Sequence, residues 1–222
     1  MPHDSIPQRK MAIIAGLSLL LMAVVAGFAY GYAFQKIQAE QSTNSIFWLR
    51  CCIAGFMLVL LLDVLVAWAL YFFMRPAGRH LSLLSCWLRL VYAALLGAAL
   101  LHLVTCLELI DQGNSSLPHR ATTVYLDLFA ESWSIGLIVF GCHLAVLGSQ
   151  IIGAGYVPKI LGFLLLIAAV CYSGSSLMQL LWKGYAYYKA DVELLLSAPM
   201  AVGELALALW LIVKGGKVQK VN

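Results

Sequence analysis

The sequence predicts an all-α polytopic membrane protein, a bundle of six transmembrane helices with both termini in the cytoplasm. Three observations predict it. The chain is 63% hydrophobic and only 11% charged, with a mean hydropathy of +0.91. A soluble domain carries about 25% charged residues, so this chain lacks the polar surface to face water all round. The apolar residues gather into six runs, each long enough for the ~20 residues that cross a bilayer as a helix. The basic residues fall in short clusters between those runs. That is a topology pattern, without the basic stripe or aromatic platform of a nucleic-acid binder.

Residues 1–222 read as a single transmembrane domain with no soluble domain or long linker. The first span, 11–34, follows Arg9-Lys10 and exceeds the apolar core of a secretory signal, roughly 7–15 residues. Gly16, Gly27 and Gly31 in it suit close helix contact, and the last two have the small-xxx-small spacing. The second span, 47–73, carries Asp63. A compact basic loop with Arg75 and Arg79 leads to the third, 81–109, which holds Arg89 and His102. The loop 110–123 is the most polar, and its Asn114-Ser115-Ser116 sequon is too short a match to carry weight. The fourth span, 124–152, holds Glu131 near its start and His143 within it. A Gly/Pro turn with Lys159 leads to the fifth, 157–182. Lys183 to Asp191 reads as a connection whose tyrosines suit the headgroup zone. The sixth span, 192–213, contains Glu204 and Pro199, which removes a backbone hydrogen bond.

Eight of the 14 basic residues fall on the side of the termini, which favours both termini inside. Arg75, Arg79 and Lys159 on that side are candidates for contact with anionic lipid. Six cysteines make no C-x-x-C pair and mostly lie in apolar runs, where they read as small hydrophobes. A bridge between Cys52 and Cys106, near span ends, is conceivable, but the expected state of both is the free thiol of a small hydrophobe.

Ionisable groups in hydrocarbon cost about 2.5–3.5 kcal/mol each on the insertion scale, so their depth matters. At 1.5 Å per residue, Asp63 lies roughly 15 Å from the cytoplasmic ends, Arg89 roughly 12 Å, His143 roughly 9–13 Å and Glu204 roughly 13 Å. Four groups on four helices share one layer, with Arg89 expected between Asp63 and Glu204 and His143 at the edge. His102 and Glu131 form an outer group, each roughly 10 Å from the opposite face. The two histidines thus sit at different depths, which argues against a shared metal ion or a haem, and no cofactor is expected. The inner layer reads either as an ion-pair network that fixes helix packing or as a proton, ion or ligand site.

Three stretches carry a resemblance. Asp63 to Leu95 (DVLVAWALYFFMRPAGRHLSLLSCWLRLVYAAL), Gly136 to Gly162 (GLIVFGCHLAVLGSQIIGAGYVPKILG) and Gly203 to Gly215 (GELALALWLIVKG) are similar, in the right order, to the motifs of the bacterial family known as domain of unknown function 4386. The resemblance implies a six-helix membrane protein with no assigned activity. It places Asp63, Arg75, Pro76, Arg79, Arg89, His143, Pro158, Lys159 and Glu204 on motif positions. Tyr92 stands where the family often has glutamate, which removes one carboxylate partner for Arg89. Lys159 replaces the usual arginine, which keeps the charge but loses bidentate binding.

No P-loop, HExxH, GxSxG or helix-opening GxGxxG occurs, so no catalytic residue is assigned. The leading expectation is a non-enzymatic structural, accessory or regulatory module of the bacterial plasma membrane, its charge layer serving packing. A homo-oligomer or a membrane partner subunit suits its small size. The alternative is a small transporter or ligand-binding protein that uses the layer as its site. An intramembrane enzyme or haem protein ranks third.

Overall fold

A computed structural model describes residues 7–39, 45–111 and 119–217. They form α1 (Gln8–Phe28), a π-helical stretch (Ala29–Phe34), α2 (Gln35–Ala39), α3 (Ser45–Met74), a 3-10 turn (Arg75–Ala77), α4 (Arg79–Asp111), α5 (His119–Gly153), α6 (Lys159–Leu181) and α7 (Tyr185–Val213). Six of the resulting helical stretches are long and apolar enough to cross a membrane; the first is made of α1, the π stretch and α2. No strand occurs among the described residues. The Asn114 sequon lies outside them.

Each span packs on its neighbours in sequence, and α7 closes back onto α1. The result is a ring of six antiparallel helices. A ring leaves a centre that only side chains can fill. Both described ends of the chain lie at one face, and the half of the bundle nearer it is here called the terminal half, the other the distal half.

The terminal half is tied together by side chains that satisfy helix-end carbonyls. Such carbonyls have no partner within their own helix and need one where water is scarce. The Phe73 carbonyl, at the end of α3, accepts from Gln8 Nε2 (3.0 Å) and from the Tyr156 hydroxyl (3.1 Å). Burial pushes that hydroxyl up to about 12, so it stays a donor at physiological pH. Gln150 Nε2 donates to the carbonyls of Met74 (3.2 Å) and Gly78 (2.9 Å). Arg9 caps α7, donating to the carbonyls of Leu211 (3.1 Å), Ile212 (2.5 Å) and Gly215 (2.8 Å). A cation at a helix C-terminus also matches the helix dipole. Just beyond, Gly216 adopts φ +68°, and a Cβ there would meet the Arg9 backbone at 2.7 Å.

Two expectations need correction. The segment from Tyr185 to Asp191 is the first two turns of α7, because only Gly184 breaks the helix and the tyrosines and alanines beyond it do not. Within α1, Gly16 does make a close contact: a Cβ there would fall 2.7 Å from Ile212 and 2.8 Å from the Ala208 carbonyl. Gly27 and Gly31 do not, since a Cβ at either would meet nothing within 4 Å. Ala29 and Ala33, fully buried, take the packing role instead, with Ala29 against Gly55 of α3. Gly27 lies in α1 ahead of the π stretch; within that stretch the i→i+5 bonds widen the turn, and Ala29 and Ala33 rather than Gly31 are buried. All six cysteines are free, Cys52 and Cys106 included.

Candidate functional site

Asp63 reaches the interior from the middle of α3, where it is fully buried. Arg89 comes from α4 and is 1% exposed. Its Nε donates to Asp63 Oδ1 at 2.9 Å, and its Nη2 lies 2.8 Å from the same oxygen. Its Nη1 lies 3.1 Å from His143 Nε2 on α5. An arginine has donors only, so that imidazole nitrogen accepts and the ring proton sits on Nδ1. There it faces the Ser85 carbonyl at 2.8 Å, with Ser85 Oγ at 3.0 Å. The same guanidinium stands 5.2 Å from the Phe140 ring centroid and touches Met22 Sδ of α1 at 3.8 Å. Four helices are therefore pinned on one arginine, whose donors face Asp63, His143 and Met22.

Glu204 is not a partner of Arg89. It accepts the Tyr172 hydroxyl at 2.8 Å and makes no ion pair among the described residues. The expected layer thus splits: Asp63, Arg89 and His143 form a connected network, while Glu204 lies apart on α7. The reason is geometric. Depth along a helix fixes the level of a side chain but not the face of the ring it occupies.

Between the two lies a cavity of about 490 Å³ at membrane depth, reached by Asp63, Tyr92, Tyr172 and Glu204. Arg89 and His143 stay behind its wall. Tyr92 packs on Phe140 at 4.7 Å and Phe140 on Tyr172 at 5.2 Å, so an aromatic shelf runs from the Asp63 side to Glu204. Trp133 Nε1 donates to the Tyr92 hydroxyl at 3.3 Å. The cavity extends distally to Glu193 and Lys189, roughly 16 Å and roughly 22 Å from the Glu204 level at 1.5 Å per residue. Glu193 accepts the Tyr30 hydroxyl at 3.4 Å and lies 3.8 Å from Lys189 Nζ. Gly27 and Gly31 face this open space. So does the one π-helical stretch described, a feature that often marks functional sites.

The outer group does not assemble. His102 is half-buried and bonds Ser132 Oγ at 3.1 Å, while Glu131 is exposed. Arg75, Arg79 and Lys159 are exposed at the terminal face. Among the described residues no three His, Cys, Asp or Glu side chains cluster as metal ligands would.

The family described as Domain of unknown function (DUF4386) matches residues 14–215. The chain belongs to this family. In this DUF4386 member, three motif positions from three spans, Asp63, Arg89 and His143, meet in one network, and Glu204 faces the cavity. An uncharacterized protein of Archaeoglobus fulgidus is 36% identical over 169 residues, or 76% of this chain and 86% of the relative. No solved structure matches.

Sequence reasoning missed the aromatic shelf, Tyr30, Glu193 and the cavity itself. A signal for it was present. Ser175 and Ser176 of α6 line it, and the first span has Gly27 and Gly31 beside them in the lining. Small residues facing inward in one half of a ring leave its centre unfilled.

Proposed function

We propose that the protein is a membrane-embedded binding protein that takes a small amphipathic molecule into the cavity that runs from the middle of the bundle into its distal half. The carrying observation is the cavity itself. Its volume of about 490 Å³ falls in the range of small-molecule sites, which are mostly apolar with a few convergent polar groups. The last span supports an entry route. From Tyr187 to Val202 no side chain of α7 is buried, and Leu194 and Leu195 are 78% and 74% exposed. A helix so thinly packed along its distal half can move aside at little cost. The Arg89 network serves as the rigid floor against which the ligand rests.

The setting is the plasma membrane of a bacterial cell, as the family resemblance implies, with the termini in the cytoplasm. Arg75, Arg79 and Lys159 then face anionic headgroups, each worth about 1 kcal/mol near the surface.

The test is to purify the full chain in mild detergent, extract it and quantify the small molecules carried. The comparison is with Gly27→Phe, whose Cβ would meet nothing within 4 Å and whose ring would enter the cavity. Wild type is expected to carry bound material near stoichiometric amounts, and the filled variant to lose it. If wild type carries no more than Gly27→Phe, the binding reading fails.

A further inference from the structure

We propose that the ligand is a lipophilic organic monocation, its charge held by Glu204 and the free Oδ2 of Asp63 and its apolar part laid on the Tyr92, Phe140 and Trp133 rings. This rests on the reading of the cavity as a ligand site and names its chemistry.

The first support is an orphaned atom. Asp63 is fully buried and lines the cavity, yet its Oδ2 has no hydrogen-bond partner among the described residues. Arg89 spends two contacts on the other oxygen, Oδ1. A buried carboxylate oxygen without a partner carries a desolvation penalty that a ligand donor or cation removes. The second support is charge. Asp63, Glu193 and Glu204 reach the cavity, against Lys189 in its lining and Arg89 behind it. Arg89 offsets Asp63, and Lys189 offsets Glu193 at the cavity's mouth, which leaves the one negative charge of Glu204 at membrane depth. Isolated charge there is costly, and a single positive charge on the ligand neutralises it. The third support is the wall. Aromatic faces attract cations, most strongly where water is excluded, and the shelf between Asp63 and Glu204 is built of them. An anion would meet the same carboxylates and rings as repulsion.

Two probes of the same shape and opposite charge separate this from general stickiness: tetraphenylphosphonium and tetraphenylborate. Equilibrium dialysis against the purified full chain in detergent measures each, with triphenylphosphine oxide as the uncharged control. Saturable phosphonium binding is expected, at least tenfold tighter than binding of the borate. Glu204→Gln keeps a side-chain acceptor for Tyr172 and is expected to weaken the phosphonium about tenfold while leaving the oxide within twofold. Gly27→Phe is expected to weaken both. Binding of phosphonium, borate and oxide with equal affinity, lost in Gly27→Phe, overturns the cation inference and leaves the cavity reading standing. Saturable binding of none, or binding indifferent to Gly27→Phe, overturns both. The wild-type comparison needs no variant, so the inference stays testable even if Glu204→Gln does not fold.

Discussion

The terminal and distal halves of the bundle use the same six helices and reach opposite packing. In the terminal half backbones touch. A Cβ at Gly148 would lie 2.8 Å from the Gly162 carbonyl, and one at Gly203 would lie 3.0 Å from the Leu164 carbonyl. From Gly203 onward α7 buries Leu207, Ala208 and Leu211, and Arg9 caps its end. In the distal half Gly27, Gly31 and Gly174 face nothing within 4 Å, and between Tyr185 and Val202 the only fully buried side chain described on α7 is Tyr185. Lipid is as apolar as leucine, so burial alone does not drive these helices together. Close contact, capping and ion pairing must do it; in the distal half they join the first four spans, as where Ala29 meets Gly55, and along α7 they are confined to the terminal half. The other half is free to keep a space.

The largest expected effect lies at the junction of the halves. Arg89→Met leaves Asp63 buried without its cation, and thermal unfolding in detergent should show a loss of about 3–5 kcal/mol. The double variant Asp63→Asn with Arg89→Met removes both charges and should recover much of that. If the single variant costs less than about 1 kcal/mol, the network is not the fixed floor described above and the contrast between the halves weakens.

A smaller effect separates the glycines. Gly16→Leu forces atoms into Ile212 and the Ala208 carbonyl, and overpacking of this kind costs about 1–3 kcal/mol. Gly27→Leu enters open space and gains helix propensity, so its stability should stay within about 1 kcal/mol of wild type, on the favourable side. The two substitutions are chemically identical and eleven positions apart on one helical span. Equal effects would mean that the packing of the two halves does not differ.

Hydropathy carried the six spans, their order and the shared face of the termini, because lipid allows few ways to satisfy a backbone. It also carried the depth of Asp63, Arg89, His143 and Glu204. It could not carry azimuth. Whether Glu204 faces Arg89 or Tyr172 depends on how each helix is rotated about its axis, and six uniformly apolar helices give almost no amphipathic signal for that. The π stretch added a second difficulty, since from Ala29 onward it sets which of Ala29, Gly31 and Ala33 is buried with no residue type to announce it. Arg9 was legible only as a topology charge. Its role as a cap of α7 links residues more than 200 positions apart.

The smallest expected effect concerns the second ion pair. Lys189 and Glu193 are 3.8 Å apart, with side chains 35% and 39% exposed, whereas Arg89 and Asp63 are 2.8 Å apart and shut away. Solvent and headgroups screen the first pair and not the second. The 3.4 Å bond from Tyr30 to Glu193 is also long, and bonds of this kind between membrane helices average about 0.6 kcal/mol. Glu193→Gln should therefore shift unfolding by about 0–0.5 kcal/mol, while one carboxylate leaves the mouth of the cavity. Because Glu193 sits roughly 16 Å from Glu204, phosphonium affinity should fall far less than in Glu204→Gln, and the loss should shrink with added salt, as an exposed charge requires. A stability loss above about 2 kcal/mol would place Glu193 in a closed, tightly paired setting. The distal half would then be held as firmly as the terminal one, and α7 would have no loose end to move.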